Sequence, residues 1–371
     1  MLLVALALVL LGGVWTGRLL GGETASPAAG SPPTGGPDPR SGTLNVLLGG
    51  DLLLDLEPAA ILAAEGPTAL MRGWVDLRWA DDVDLGLVNL ECALTAEGEP
   101  LAGKSFVFRG EPDRSADCLK WVGVDGVSLA NNHTLDFGPA GLLWTIESLR
   151  ENDIAYAGAG GDAAEAFAPA WFERNGLKVA FLAFGGEAYV SERYREMWVA
   201  TANDPGVAPL APRADLLAAI AAARREADVV IVSFHWGLEY HDFVPAQQDL
   251  GRAAIDAGAD VVFGHHPHVP QPVELYRGRP IFYSLGNLVF HPFQPRARRM
   301  MAGLVRLGPD DDGRTVPWAV EVYPLYNEGG RTITMPAGQS ADFLAEMARR
   351  SAPLGTEFQV LQDRLVADLL H

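Results

Sequence analysis

Short apolar runs that end in polar residues recur along the chain from Leu44 onward. Their length and composition are typical of buried strands, and stretches with helical spacing of apolar residues follow several of them. We predict strands at Leu44–Leu48, Val83–Val88, Asp125–Ala130, Lys178–Phe184, Asp228–Val232, Val261–Phe263 and Pro280–Ser284. We predict helices at Pro67–Ala80, Pro139–Glu151, Arg213–Glu226 and Ala246–Gly258. Strands that alternate with helices indicate an α/β fold with a largely parallel sheet.

The end of the chain has a different pattern. Two further strands, at Ala302–Leu307 and Pro317–Tyr323, are predicted to be antiparallel and peripheral, and Ser340–Leu370 is predicted to be helical. We therefore divide the folded part into a main domain at residues 44–335 and a C-terminal helical segment at 336–371.

Polar residues follow the predicted strands at their carboxyl ends. Because these ends collect at one edge of a parallel sheet, residues far apart in sequence are expected to meet there. Each residue alone could be a turn or cap residue, since Asn and Asp often take such places. The repetition at strand after strand favours a common site. The residues we predict as metal ligands at this edge are Asp51, Glu91, Asn132, His235, His265, His266 and His268.

The densest group of these residues is the stretch Gly264–His268, which holds three of the eight histidines. Neutral imidazole is a common ligand of Zn, Mn, Fe and related ions. A polar surface loop is the alternative, but three histidines between a glycine and two prolines favour a metal-binding loop. Spacing alone does not choose between His265 and His266. Since carboxylates and a carboxamide complete the set without thiolates, we predict one or two divalent ions, Mn, Fe, Zn or Mg.

Other polar residues near these strand ends are predicted to act on a substrate. His133 could donate a proton to a leaving oxygen, and Asp136 is assigned to the catalytic set with it. Asp55, Asp136 and Asn287 could also orient imidazoles, with turn and cap chemistry as the alternative. The predicted substrate-binding residues are Arg109, Glu239, Tyr240 and Asn287. For Arg109 a surface ion pair is the alternative, and Glu239 and Tyr240 could merely complete a loop.

The N-terminal segment predicts export. Met1–Trp15 is apolar and uncharged, and Arg18 is the first charged residue. Residues 1–22 are therefore read as a signal peptide or membrane anchor, although the usual basic start is absent. Residues 23–43, rich in Pro, Gly, Ala and Ser, predict a disordered linker. We expect an extracytoplasmic protein, either membrane-anchored or secreted.

Charge and cysteine content narrow the function classes. The net charge is −19, and the one short basic run, Arg296–Arg299, is typical of a solvated face, so nucleic acid is not an expected partner. Cys92 and Cys118 have neither a zinc-finger spacing nor a disulfide framework. Buried free thiols are favoured for both.

Two of these segments resemble motifs of a known superfamily. Asn131–Gly138 resembles the Gly-Asn-His-Asp/Glu signature of calcineurin-like metallophosphatases, and Gly264–His268 is similar to their Gly-His-x-His motif with one residue inserted. His235 matches their isolated histidine ligand. In that superfamily the Asn binds metal and the His stabilises or protonates the leaving group, which implies these roles for Asn132 and His133.

The order of the motifs is similar to that of the CapA family, proteins of poly-γ-glutamate capsule biosynthesis. The resemblance covers about Leu44–Phe290 and implies a metallophosphatase-like αββα sandwich of two packed sheets. It also implies export or membrane anchoring. The expected partners are an anionic envelope polymer or its precursor, and a membrane synthase. The motifs that carry the resemblance are Gly50–Asp51, Asn89–Glu91, Ala130–His133, His235–Tyr240, Gly264–His268 and Tyr283–Asn287.

One position departs from the superfamily pattern. Its first motif is Asp-x-His, whereas Asp51 is followed by Leu52 and Leu53. The site would then hold a single metal or recruit another group such as Glu91. Three functions stay open: a metal-dependent hydrolase or transferase of polymer synthesis, a non-catalytic accessory subunit that binds the polymer and a membrane synthase, and an envelope phosphodiesterase or nucleotidase.

Overall fold

The structure is a computed structural model that describes residues 41–80 and 82–369. The predicted export segment at 1–22 and most of the predicted linker at 23–43 lie outside the described residues. Within the described ranges, no helix has both the length and the apolar character needed to cross a membrane.

The described part alternates strands and helices along the chain. In chain order the strands are β1 (Leu44–Leu52), β2 (Leu85–Leu90), β3 (Ala93–Leu94), β4 (Arg109–Gly110), β5 (Gly126–Ser128), β6 (Ala155–Ala157), β7 (Ala159–Gly160), β8 (Ala170–Arg174), β9 (Leu177–Gly185), β10 (Gly206–Val207), β11 (Val229–His235), β12 (Val261–His265), β13 (Val273–Tyr276), β14 (Arg279–Phe282), β15 (Asn287–Val289), β16 (Arg299–Pro309), β17 (Thr315–Glu328), β18 (Arg331–Thr334), β19 (Gln359–Val360) and β20 (Leu365–Asp368). The helices are α1 (Leu56–Glu65), α2 (Pro67–Leu70), α3 (Arg72–Ala80), α4 (Pro112–Trp121), α5 (Gly138–Glu151), α6 (Ala163–Ala166), α7 (Glu192–Trp198), α8 (Arg213–Arg224), α9 (Pro245–Asp256) and α10 (Ala337–Ser351). Short 3-10 turns lie at Glu187–Tyr189, Pro295–Arg298 and Ala352–Leu354.

The strands form two large sheets. Sheet 1 has the spatial order β19-β20-β17-β16-β1-β2-β5-β6, with β15 paired to β1 and β18 paired to β17. Sheet 2 has the order β13-β14-β12-β11-β9-β8. In sheet 1 the strands β15, β1, β2, β5 and β6 are parallel, and the remaining pairs are antiparallel. In sheet 2 the four inner strands are parallel and both edge pairs are antiparallel.

The two sheets pack face to face, and helices cover their outer faces. Alternation along the strands explains this arrangement, because successive side chains point to opposite faces of a sheet. Leu48 of β1 packs in one buried cluster with Phe181 of β9 and Ile231 of β11, so this cluster fills the space between the sheets. The preceding residue, Leu47, points to the opposite face of the sheet and belongs to a different buried cluster, together with Trp74 of α3. The predicted αββα sandwich is confirmed.

Helices α8 and α9 complete the second outer layer. Ile220 of α8 and Ala254 of α9 share a buried cluster with Val230 and Val232 of sheet 2. Cys92 and Cys118 are buried free thiols, as predicted, and burial raises the pKa of both to about 12.

Several predicted elements differ from the structure. The prediction of one helix at Pro67–Ala80 is wrong, because the helix is interrupted at Met71. Strands β16 and β17 are antiparallel as predicted, but β16 is not peripheral, since it pairs with β1 inside sheet 1. The helical prediction for Ser340–Leu370 holds only up to Ser351. Beyond it, β20 adds to β17, and alternate residues of β20 are buried in the core between the sheets.

Candidate metal centre

The carboxyl ends of strands from both sheets carry the polar residues singled out by the sequence. In sheet 1, the register of β1 puts Asp51 beside Asn89 of β2 and beside Asn287, the first residue of β15. In sheet 2, His235 at the end of β11 lies opposite His265 at the end of β12. All five side chains are buried. Parallel pairing therefore places residues from distant segments side by side.

Two carboxylates and an imidazole form the centre of this group. Asp51, Glu91 and His268 each offer a ligand atom, and these atoms lie within 4.8 Å of one another. The Asn89 carboxamide donates to Asp51 Oδ1 at 2.9 Å and to Glu91 Oε2 at 3.1 Å. The other oxygen, Glu91 Oε1, has no hydrogen-bond partner among the described residues. It lies 3.9 Å from His268 Nε2 and 4.0 Å from His235 Nε2.

The histidine loop wraps around Asp51. His265 Nδ1 lies 3.1 Å from Asp51 Oδ1, and His268 Nδ1 lies 3.1 Å from Asp51 Oδ2. The contact of His265 lacks hydrogen-bond geometry, whereas His268 Nδ1 also contacts Asn287 Oδ1 at 2.9 Å. His266 and His268 have φ values of 93° and 56°, in the left-handed region that non-glycine residues rarely adopt. The unusual backbone conformations therefore occur at two of the predicted metal ligands.

The remaining predicted ligands extend this cluster through further buried contacts. Asn132 Oδ1 lies 2.8 Å from His235 Nε2. The His266 ring centroid is 4.8 Å from that of His235 and 3.8 Å from that of Tyr189. Nδ1 of His235 and Nδ1 of His266 have no hydrogen-bond partner in the described part of the chain. A continuous chain of contacts thus joins all the predicted metal ligands, and both His265 and His266 belong to it.

This donor set fits a divalent cation. Buried polar atoms without partners cost about 1–3 kcal/mol each, and here a carboxylate oxygen and imidazole nitrogens share that condition. Two buried carboxylates in contact with the same carboxamide also need positive charge nearby. Oxygen and nitrogen donors without thiolate are typical ligands of hard and borderline divalent ions.

The pKa shifts follow from burial and from the short contacts. Burial alone would raise the pKa of Asp51, but His265 and His268 hold it well below its usual range. Burial, followed by the charge of Asp51, raises the pKa of Glu91 well above its usual range. Burial would lower the pKa of His268, yet its contact with Asp51 raises it.

Two other imidazoles shift in the opposite direction. Burial, reinforced by the neighbouring His266, lowers the pKa of His235 well below its ordinary value. Burial, reinforced by His268, lowers the pKa of His266 to about 3. Both rings are therefore neutral at neutral pH, which is the form that binds metals.

Metal affinity is expected to rise with pH through the titration of Glu91. A proton and a cation compete for this carboxylate, and its raised pKa makes the competition extend to higher pH than for an ordinary glutamate. His268, whose pKa is also raised, adds a further part of the dependence, whereas His235 and His266 do not, because their lowered pKa values keep them neutral. Titration calorimetry with Mn or Zn over a pH series measures this dependence. The Glu91→Gln variant should bind more weakly and lack this part of it, and an unchanged pH profile in that variant would contradict the assignment.

A second polar group lies beside the cluster. His133 Nδ1 is 2.8 Å from Asp136 Oδ2, and Lys104 Nζ is 2.6 Å from Asp136 Oδ1. Lys104 Nζ also lies 3.1 Å from His133 Nδ1. Asp136 is fully buried and accepts a hydrogen bond from the backbone N–H of Phe108 at 2.7 Å. The predicted pair of His133 and Asp136 is thus brought together, and Lys104 joins it although no sequence motif marked it.

A cavity of about 490 Å³ opens above these residues. Asn132, His133 and His268 form part of its wall. Glu239 and Tyr240, predicted as substrate-binding residues, line it as well. The cavity is also lined by the aromatic residues Phe106, Phe108, Phe290 and Phe293, and the rings of Phe108 and Phe290 contact His133 and His268. A ligand in this cavity would contact both the metal cluster and an apolar surface.

Two other predicted substrate-binding residues lie elsewhere. Arg109 stacks over the Phe137 ring at 4.0 Å and donates to the carbonyl of Gly98, so it is not part of this cavity wall. Asn287 is buried, with its carboxamide between His268 and the carbonyl of Ala297. This position suits the alternative role, the orientation of His268.

Leu53 and Asp55 follow Asp51 closely in sequence, but their contacts support the fold rather than the metal cluster. Asp55 caps α1 and accepts a hydrogen bond from the N–H of Arg109 at 2.8 Å. The Leu53 side chain is buried in the core between sheet 1 and its helices, and its N–H donates to Val289. The histidine of the superfamily motif thus has no counterpart here. Glu91 contributes a carboxylate to the cluster instead.

Comparisons with known proteins agree with these motifs. Residues 45–292 match the family described as bacterial capsule synthesis protein PGA_cap. The chain is 34% identical over 279 residues to the PGA biosynthesis protein CapA of Bacillus subtilis, across 74% of this chain and 70% of that protein. It is 32% identical over 264 residues to the capsule biosynthesis protein CapA of Bacillus anthracis, across 70% of this chain and 61% of that protein.

A mycobacterial relative carries a different description. The chain is 32% identical over 293 residues to the probable polyglutamine synthesis accessory protein of Mycobacterium tuberculosis, across 69% of this chain and 75% of that protein. Together with the match over residues 45–292, these similarities show that the chain belongs to the PGA_cap family of bacterial capsule synthesis proteins, which includes CapA.

Proposed function

We propose that this protein acts in the synthesis of poly-γ-glutamate or a related anionic envelope polymer, as a metal-dependent hydrolase. The observation that carries the proposal is the buried cluster of Asp51, Glu91 and His268, with Glu91 Oε1 unpartnered within the described chain. The family and the names of its relatives support the polymer context. The apolar sequence of residues 1–22 supports an extracytoplasmic location, membrane-anchored or secreted.

The contacts described above join the residues that would hold a divalent ion. These residues are Asp51, Glu91, Asn132, His235, His265, His266 and His268. When bound, the ion would supply positive charge to polarise the bond to be cleaved and to acidify a water molecule. Asn89 keeps Asp51 and Glu91 in fixed orientations by donating to both carboxylates. Asn287 fixes the ring of His268 through Nδ1, which leaves His268 Nε2 directed toward Glu91.

In this proposal, His133 gives a proton to a leaving oxygen. Its Nδ1 contacts Asp136, which leaves Nε2 to act in the cavity. Burial lowers the pKa of His133, and Asp136 opposes that shift. A protonated His133 is therefore a stronger acid than an exposed imidazolium. Lys104 forms an ion pair with Asp136 and so weakens the stabilisation that this carboxylate gives to protonated His133.

The variant His133→Asn is expected to lower kcat by roughly 10²–10⁴-fold, the range typical of a lost general acid. Metal content should stay at the wild-type level, because His133 contacts Asp136 and Lys104 rather than Asp51 or Glu91. Hydrolysis of bis-p-nitrophenyl phosphate and of γ-glutamate oligomers, with metal analysis of the same samples, measures both quantities. His291→Asn is the matched control, since His291 pairs with Glu57 outside the cavity wall.

Wild-type protein that binds metal but hydrolyses neither substrate would overturn the hydrolase proposal. It would favour a second function, a non-catalytic accessory subunit that binds the polymer and a membrane synthase. The observation in favour of that function is Leu53, which occupies the core where the superfamily places a histidine ligand. The mycobacterial relative is named an accessory protein, which supports the same alternative.

A further inference from the structure

A second cavity adjoins the one above the metal cluster. Its volume is about 310 Å³, and its lining includes Arg296, Arg299 and Arg350, so we call it the arginine pocket. Tyr240 lines both cavities. A ligand that reacts at the metal cluster and extends past Tyr240 would therefore enter the arginine pocket.

The three arginines differ in the charges that face them. Arg299 Nη2 lies 2.6 Å from Glu346, and Arg350 Nη2 lies 2.5 Å from Asp242. Arg350 also approaches Glu346 at 3.6 Å. Both guanidinium groups thus have carboxylate partners within the protein.

Arg296 has a different environment. Its side chain is exposed, and its Nη1 donates to the backbone carbonyl of Tyr240 at 2.5 Å. None of the described carboxylates forms an ion pair with it. The carbonyl of Ala297, in the same 3-10 turn, accepts from Asn287, which in turn contacts His268. Arg296 therefore has a positive charge without a carboxylate partner among the described residues, next to Tyr240, which lines both cavities.

We propose that the arginine pocket binds a carboxylate of an anionic polymer whose reacting bond lies in the neighbouring cavity. This inference rests on the proposed function and deepens it by locating a binding subsite for the chain beyond the reacting bond. A planar guanidinium can bind a carboxylate through two parallel hydrogen bonds. The protein as a whole carries a net charge of −19 and would repel a polyanion, so attraction depends on a local cation such as Arg296.

Binding of a short γ-glutamate oligomer, measured by titration calorimetry on the metal-loaded protein, tests this subsite. Arg296→Gln is expected to raise the Kd of the oligomer roughly tenfold, equal to about 1.4 kcal/mol. Arg296→Lys should have a smaller effect, because it keeps the charge but not the two-pronged geometry. Higher salt should weaken wild-type binding more than binding to Arg296→Gln.

Matched controls separate charge from general effects. Arg314→Gln removes the same charge at an exposed ion pair with Asp312, and it should leave binding unchanged. The same oligomer with its carboxylates converted to carboxamides should bind equally to wild type and to Arg296→Gln. Equal oligomer affinity in wild type and Arg296→Gln would overturn the subsite. Equally tight, Arg296-dependent binding of a glycerol phosphate oligomer would overturn the assignment to carboxylates.

Metal content and hydrolysis by the wild-type protein, measured in parallel, distinguish this inference from the proposed function. Metal-dependent hydrolysis together with oligomer binding that ignores Arg296 would leave the proposed function standing and remove the subsite. Arg296-dependent binding without hydrolysis would remove the hydrolase and keep the subsite.

Discussion

Replacement of Asp51 by asparagine is expected to weaken divalent metal binding by at least about 100-fold, the upper end of the effect of changing residues that only support metal ligands. The reason is that Asp51 lies at the point where both sheets meet and contacts His265, His268 and Asn89. Asparagine has nearly the same shape, but it removes the negative charge and turns one acceptor into a donor that faces imidazole nitrogen. Hydrolysis should be lost with the metal.

Thermal or urea unfolding with and without metal measures the loss independently of activity. Wild-type protein at a metal concentration 100 times its Kd should gain about 2.7 kcal/mol in the free energy of unfolding. Asp51→Asn should gain almost nothing under the same conditions. Asp55→Asn is the matched control, because Asp55 caps α1 and should change stability without changing the metal-dependent gain. A full metal-dependent gain in Asp51→Asn would show that the cluster is not the metal centre.

The second large effect is expected from Gly50→Ala, at the residue before Asp51. A Cβ atom at this position would lie 1.9 Å from the carbonyl oxygen of Gly286 and 2.8 Å from its carbon. Backbone cannot yield as a flexible side chain can, so β1 and the segment before β15 must separate. The hydrogen bond from Asp51 N–H to Gly286 O, now 3.0 Å, would be lost as well. We expect a cost of about 3 kcal/mol in the free energy of unfolding, together with weaker metal binding.

Gly338→Ala provides the opposite control for this substitution. Gly338 lies in α10, and no heavy atom lies within 4 Å of a Cβ added there. Alanine has a higher helix propensity than glycine, and Gly338 is the second residue of α10, so this variant should be at least as stable as wild type. Urea unfolding of both variants gives the comparison. Equal stability of Gly50→Ala and wild type would mean that the close approach of Gly50 to Gly286 is not required.

Local sequence patterns were sufficient to predict most of the residues that the fold brings together at the strand ends. Asp51, Asn132 and His235 follow apolar strands, and the parallel fold brings strand ends together whatever their distance in sequence. The chemistry of the cluster could therefore be predicted from strand ends and residue types. The different positions of His265 and His266 within the cluster could not be predicted, because they depend on the left-handed backbone of the loop.

Features that depend on contacts between distant segments were harder to predict from the sequence. Lys104 has no neighbouring motif, and its role depends on its ion pair with Asp136, more than thirty residues away in sequence. Arg109 was predicted to bind substrate, yet its guanidinium group stacks on the ring of Phe137. The strand β20 was mistaken for helix because its buried face has a partner only once β17 is in place.

The left-handed backbone at His266 and His268 lowers the stability of the protein at two residues proposed to bind metal. Such conformations cost a non-glycine residue of the order of 1–3 kcal/mol each, whereas glycine adopts them freely. Selection for thermal stability alone would therefore favour glycine at both positions, and the imidazoles would be lost. If this loop binds metal as proposed, evolution toward a more stable protein and retention of the metal ligands would therefore favour different residues at these two positions.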